Sequence, residues 1–229
     1  YITQVRTAAL SGIATKYLAN PDSQVAAVVG TGGMAYEQLN AILTVRPNIK
    51  QVNLWNRTEQ TAHKFQEKFK KDYPQWDVDF TVCDDIEAAI LDADIINLAT
   101  RATSGLFEAA QIKADAHINA VGAYQASMKE VSNSVIEAST SVIIDDAEGG
   151  LHEAGDLIQA HEDADSTWTW DKLTGTLSDL VNEKVTIDLN TNKGITLFKS
   201  VGAASFDAAV ALKVAQKAKK EGLGQFVAL

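Results

Sequence analysis

Gly30, Gly32 and Ala35 stand at the spacing GxGxxA inside the stretch VAAVVGTGGMA, with Gly33 and Met34 between the second glycine and the alanine. Each small residue has its own task in such a motif. Gly30 turns the chain off a strand, Gly32 lets backbone approach a pyrophosphate, and Ala35 lets the following helix pack closely on a sheet. The new helix N-terminus then presents amides and a positive dipole end to phosphate. The apolar run Val25 to Val29 before the turn and YEQLNAILTV after it supply the strand and helix that the motif requires.

A second polar group follows the apolar segment Gln51 to Trp55: Asn56, Arg57 and Thr58. About twenty residues beyond the glycines a carboxylate usually takes the adenosine ribose hydroxyls. None is present here. Asn56 can bond a hydroxyl without repelling phosphate, and the Arg57 fork suits a 2′-phosphate, so NADP(H) is the preferred cofactor and NAD(H) an alternative. Thr58 also stands where it can cap the next helix.

Further polar residues fall where strand ends are expected. Arg6 and Thr7 open a helix, where a cation and a hydroxyl can reach an anionic ligand or simply face solvent. Thr100 begins a loop of small polar residues after DIINLA, and a loop at a strand's carboxyl end should border a cofactor. His152 and Glu153 are expected together in a loop, Glu153 as a group that handles a proton or pairs with a substrate amine. Lys199 and Ser200 precede a long helix and either reach the cofactor or are surface groups. His63 and His117 read as helix-surface and strand-edge residues. No HExxH, CxxC pair or GxSxG occurs, so neither a zinc site nor a serine-hydrolase site is expected, and no metal. The one cysteine, Cys83, excludes an internal disulfide and reads as a small residue at a strand end.

These groups need a scaffold. Apolar periodicity predicts a helix over Thr3 to Ala19 and strands at Val25 to Val29, Gln51 to Trp55, Trp76 to Val82, Asp94 to Ala99, Ala116 to Val121 and Ser141 to Ile144. Helices are predicted at Glu59 to Lys71, Asp84 to Leu91 and Ala203 to Lys220, the last with Ala, Val and Leu on one stripe, and Leu177 to Val181 as a helical turn. Such alternation implies an α/β fold: a doubly wound, mostly parallel sheet with helices on both faces. At 229 residues a sizeable core is affordable. A net charge of −10 argues against a nucleic-acid partner, and no apolar run suggests a membrane span or signal peptide, which points to a cytoplasmic protein. The chain opens at Tyr1 already in a helical pattern, as an excised domain would.

Six ordered stretches together are more specific than the glycine turn alone: RTAA at Arg6, VVGTGGMA at Val28, WNRT at Trp55, NAVGAY at Asn119, EAGDL at Glu153 and TLFKSVG at Thr196. In order and spacing they resemble the ornithine cyclodeaminase and mu-crystallin family. The resemblance implies a Rossmann-like domain at residues 21–190, a helix at 1–20 joining a missing N-terminal portion, and a segment at 191–229 returning to a truncated dimerisation and substrate domain. The complete protein is then expected to be a homodimer. It further implies that Arg6 lies near a substrate carboxylate or the cofactor and that Thr7 contacts the cofactor. Gly32 to Ala35 are implied at the pyrophosphate, Asn56 to Thr58 at the ribose phosphate, and Thr100, Val121 and Ser200 at other parts of the cofactor. Met34 replaces a glutamine common in relatives, and Tyr124 stands where cyclodeaminases carry a catalytic Asp. The expected activity is therefore NADP(H)-dependent oxidoreduction at the C–N bond of a small amino acid or cyclic imine, with Tyr124 and Glu153 as candidate proton-handling groups. Ornithine cyclodeamination and non-catalytic cofactor binding are the alternatives.

Overall fold

The computed structural model describes residues 1–189 and 193–225. The expected domain boundary at 190 and 191 lies outside the described residues. Eight parallel strands form one sheet in the order β3-β2-β1-β4-β5-β8-β6-β7. They are β1 (Val25–Val29), β2 (Gln51–Trp55), β3 (Asp79–Val82), β4 (Ile95–Leu98), β5 (His117–Ala120), β6 (Ser139–Ile144), β7 (Gly175–Thr176) and β8 (Ile195–Lys199). The helices are α1 (Ile2–Leu18), α2 (Gly33–Val45), α3 (Glu59–Asp72), α4 (Ile86–Ile90), α5 (Asn133–Ala138), α6 (Ala147–Glu153), α7 (Gly155–Glu162), α8 (Leu177–Val181) and α9 (Ala204–Glu221). From β1 the chain winds first toward β2 and β3, then back to β4, which leaves a crevice at the carboxyl ends of β1 and β4. This is the Rossmann-like, doubly wound arrangement that the alternation implied.

Alternate residues of the strands feed two main cores, and a third, smaller cluster joins Ala14 and Leu18 of α1 to Ile143, Phe198, Leu177 and Leu180. Ala27, Val29, Ile96, Leu98, Ile118 and Leu197 face one layer with Val135 of α5 and Leu157 of α7. Ala26, Val28, Val52 and Leu54 face the other, against Leu39 and Ile42 of α2 and Phe65 and Phe69 of α3. Helix α1 joins that second layer. Gly12 lets it approach α2 so closely that an added Cβ would stand 3.2 Å from the Ala41 Cβ. The buried Arg46 guanidinium donates to the carbonyls of Lys16, Ala19 and Asn20 and so caps the end of α1.

Several expectations need correction. Strand β3 begins at Asp79 rather than Trp76, because the Trp76 indole folds back to donate to Asn40 on α2 at 2.9 Å. Residues 195–199 carried no predicted element, yet form β8, inserted between β5 and β6 and buried along its whole length. A five-residue run in which only three residues are apolar, beside Thr196 and Lys199, gives too little periodicity to announce a central strand. Helix α9 forms as predicted but has no fully buried residue: Phe206 and Val210 are half-buried, and Leu212 and Val214 are exposed. His117 is no edge residue: it lies fully buried on β5, bonded to Thr196 and Asn119. His152 and Glu153 are in α6, not in a loop.

Candidate cofactor site

Strand β1 ends at Gly30, which has φ +87° and whose amide donates to the Trp55 carbonyl at 2.8 Å. A Cβ there would stand 2.7 Å from both the Ala99 carbonyl oxygen and the Thr100 methyl, so both the left-handed backbone and the close approach of β4's exit require glycine. Gly32 is the N-cap of α2, and a Cβ on it would meet nothing within 4 Å. That open face over the first amides of α2 is where phosphate oxygens fit. The Thr31 and Thr7 hydroxyls beside it are buried without a hydrogen-bond partner in the protein. Ala35, one turn on, is fully buried against the sheet and touches no cleft.

Two hollows meet over this turn. One, of about 410 Å³, is walled by Arg6 and Thr7 of α1, Gly32 to Met34, Thr100, Val121, Tyr124 and Ser200. The other, of about 500 Å³, runs from Gly30 and Gly32 past Thr100 to Asn56, Arg57 and Thr58. They share Gly32, Ala99, Thr100 and Arg101, so one elongated ligand can cross the crevice. A further hollow of about 600 Å³ lies between α2 and α3 beside Tyr36, whose ring carries the Lys68 ammonium 3.7 Å from its centroid; it reaches the glycine turn but none of the strand-end groups.

The polar walls are held in place. Arg6 Nε lies 3.0 Å from an Asp207 oxygen of α9, and its guanidinium packs over Gly202, where φ is +85°. The Ser200 hydroxyl donates to Asp145 at 2.7 Å, and Asp145 also accepts from the Val201 and Gly202 amides. Asn56 accepts from the Thr31 amide and donates to the Thr58 carbonyl, while Arg57 is exposed at the rim. Thr58 is the N-cap residue of α3, but its hydroxyl makes no cap bond. Tyr124, 46% exposed, presents its ring to the smaller hollow.

Two expected residues stand elsewhere. Lys199, fully buried, turns its ammonium into the interior, 2.6 Å from Asp156 and donating to the Ala123 carbonyl at 2.5 Å. In a parallel strand buried on both faces its side chain has no route to the cleft. Glu153 is exposed on α6 and lines neither hollow. The partly buried Cys83 follows β3, and burial pushes its thiol up, which keeps it a poor nucleophile.

Sequence reasoning missed Glu130. It is fully buried and accepts from the Thr100 amide at 2.5 Å, the Gly122 amide at 2.7 Å and the Ala123 amide at 3.0 Å. Burial pushes its carboxyl up, with the Lys199 charge opposing. In AYQASMKEV nothing sets this acid apart from a solvated one, since all three partners are backbone groups. Among the described residues no cluster of three His, Cys, Asp or Glu side chains could hold a metal, and no helix is long and apolar enough to cross a membrane.

Residues 1–222 match the model of the ornithine cyclodeaminase/mu-crystallin family. A Δ1-pyrroline-2-carboxylate reductase of Bacillus cereus is 35% identical over 228 residues, which cover 98% of this chain and 66% of that protein. The ketimine reductase mu-crystallin of Macropus fuliginosus is 36% identical over 157 residues, 69% of this chain and 47% of that one. Among solved structures, the Δ1-pyrroline-2-carboxylate reductase of Thermococcus litoralis, in complex with NADH and L-proline, superposes with a TM-score of 0.91 at 32% identity, covering 99% of this chain and 68% of that chain. The chain thus spans about two thirds of the length of both reductases.

Proposed function

Because the chain belongs to the ornithine cyclodeaminase/mu-crystallin family, we propose that it is the cofactor-binding part of an NADP(H)-dependent oxidoreductase acting on the C–N bond of a small cyclic imine or amino acid, with NAD(H) as the alternative cofactor. One observation carries the reading: two hollows joined at Gly32 and Thr100, with the Arg57 guanidinium at one end and Arg6 at the other. The amides at the start of α2 hold the pyrophosphate, Arg57 holds the 2′-phosphate, and the Thr31 and Thr7 hydroxyls gain the partners they lack. The bound dinucleotide supplies a hydride for the imine carbon. Arg6, oriented by Asp207, pairs with the substrate carboxylate, and Tyr124 at the same wall holds or relays the proton at the imine nitrogen. Names of the relatives support imine reduction, and the L-proline held by the Thermococcus enzyme has the size and charge that Arg6 suits.

The proposal includes a homodimer of the complete protein and a cytoplasmic location, where a nicotinamide pool is at hand. It assigns residues 1–20 and 191–229 to a substrate and dimerisation unit, and residues 21–190 to the cofactor domain.

Incubating the complete protein with NADPH and Δ1-pyrroline-2-carboxylate tests the reading. We expect loss of dihydronicotinamide absorbance and formation of proline. Conversion of ornithine to proline and ammonia without net cofactor turnover would instead establish cyclodeaminase chemistry, which the absence of a carboxylate at Tyr124 disfavours. Dinucleotide binding with no turnover on any imine or amino acid would establish a cofactor-binding protein.

A further inference from the structure

The motifs EAGDL and TLFKSVG, far apart in the chain, meet at a buried ion pair. Lys199 closes the first of these contacts: its ammonium lies 2.6 Å from an Asp156 oxygen, and both side chains are wholly inaccessible to water. The other Asp156 oxygen accepts from the Glu130 amide at 2.6 Å and the Val131 amide at 2.9 Å. Glu130 in turn takes the amides of Thr100, Gly122 and Ala123, and Lys199 donates to the Ala123 carbonyl. Asp156 can sit there because Gly155, at the start of α7, has no Cβ; one would lie 2.1 Å from the Met128 carbonyl oxygen.

The arrangement has a geometric meaning. Strand β4 ends at Leu98 and β5 at Ala120, so the amides of Thr100, Gly122 and Ala123 lie beyond the ladder and need other acceptors. One carboxylate serves all three and ties two strand exits to a single point. A Cβ on Gly122 would stand 2.3 Å from the Thr100 carbonyl oxygen and 2.4 Å from a Glu130 oxygen, so the wall of the cleft rests directly on the carboxylate. Three buried ionisable groups are a poor way to gain stability, since an apolar cluster of the same volume does as well or better. Their return is a defined position for the loops.

We propose that Glu130 is a positioning residue, which, through Asp156 and Lys199, sets the distance between the β4 and β5 exits and thereby shapes the nicotinamide half of the cleft. The adenosine half shares the Thr100 wall with it, but its far end, Asn56 to Thr58 at the exit of β2, bonds none of these three side chains. This rests on the cofactor reading above.

The test titrates the chain with NADPH and with adenosine 2′,5′-bisphosphate, which fills only the adenosine half. For Glu130→Gln, we expect NADPH affinity to fall about tenfold or more, the scale of lost charge-assisted hydrogen bonds. Affinity for the bisphosphate should stay within about twofold, inside the error expected for independent sites. The emission of bound NADPH should move toward that of the free molecule, a change that general loosening of the fold would not confine to one ligand. Asp156→Asn keeps the acceptor for two amides and loses the Lys199 charge; it carries the same comparison if Glu130→Gln does not fold. Equal weakening of both ligands, or no weakening of either, would overturn the inference and leave the cofactor reading standing. A wild-type chain that binds neither ligand would overturn both.

Discussion

The Asn56 side-chain oxygen accepts the Thr31 amide proton at 3.1 Å, which makes the turn after β2 and the glycine turn after β1 one structural unit. Its amide nitrogen donates to the Thr58 carbonyl, so Asn56 spends both ends of its side chain on backbone. In the proposed cofactor site, recognition of the 2′-phosphate would then fall to Arg57.

Arg57→Ala should therefore weaken NADPH and spare NADH. A charged hydrogen-bonded pair is worth about 1.5–3 kcal/mol, so NADPH affinity should fall between roughly tenfold and a hundredfold. Fluorescence titration with both dinucleotides measures this. Equal losses for both, or an unaltered NADPH constant, would sink the assignment.

Gly30→Ala tests the turn itself. At φ +87° an alanine is strained, and its methyl would press on the Ala99 carbonyl oxygen and the Thr100 side chain at 2.7 Å. The cost should be on the order of 2 kcal/mol or more, and dinucleotide binding should be lost because the β1 and β4 exits are driven apart. Urea unfolding and a binding titration report the two effects separately. Gly32→Ala is the control for stability, since a Cβ there meets no protein atom. It should unfold like the wild type while blocking phosphate approach.

What the sequence made legible was local. GxGxxA, the apolar runs of β1 and β2, and the polar residues just after them all lie within stretches short enough for spacing to carry meaning. Those stretches placed Gly30, Gly32, Asn56 and Arg57 at one crevice; Thr100, from the loop after β4, and Val121, which only the family resemblance had implied, line it too. What it hid was non-local. Strand β8 owes its place to β5, whose His117 pairs with Thr196, and to β6, whose Ile143 pairs with Phe198, both far earlier in the chain, and so Lys199 looked like a residue near a helix start rather than the partner of Asp156. Glu130 was invisible because its ligands are amides, which carry no letter in a sequence. The burial of His117 depends on Thr196 and on an Asn119 that bonds Thr15 of α1.

The two candidate proton-handling groups separate on position. Tyr124 borders the smaller hollow, and Glu153 is exposed on α6 outside it. In the complete protein, Tyr124→Phe should lower kcat about a hundredfold or more, the low end of the general acid–base range, with little change in NADPH binding. Glu153→Gln should leave kcat within about twofold, as surface substitutions usually do. Steady-state kinetics on an imine substrate decide it. A large loss at Glu153 with none at Tyr124 would reverse the roles.

His117 gives the fold an acid sensitivity whose sign can be worked out. The ring is buried between β4 and β8, Thr196 and Asn119 hold its two nitrogens, and the Arg46 guanidinium on α2's end adds a positive field. Burial is the main cause, with Arg46 aiding and the Asn119 bond opposing, of a pKa lowered from 6.5 to about 3. In the unfolded chain the imidazole takes its proton near pH 6.5; in the folded chain it stays neutral until about pH 3. Across that window the unfolded state binds one more proton. The stability of the neutral ring is thus fully present above pH 6.5 and drains at about 1.4 kcal/mol per pH unit as the pH falls. His117→Gln removes the imidazole and keeps groups that can bond Thr196 and Asn119. It should be less stable than the wild type at pH 7.5, and the gap should narrow steadily toward pH 4. Urea unfolding of both proteins at several pH values measures the difference, and the carboxylates, common to both, cancel. Parallel curves would show that the buried ring takes its proton as readily as a free one.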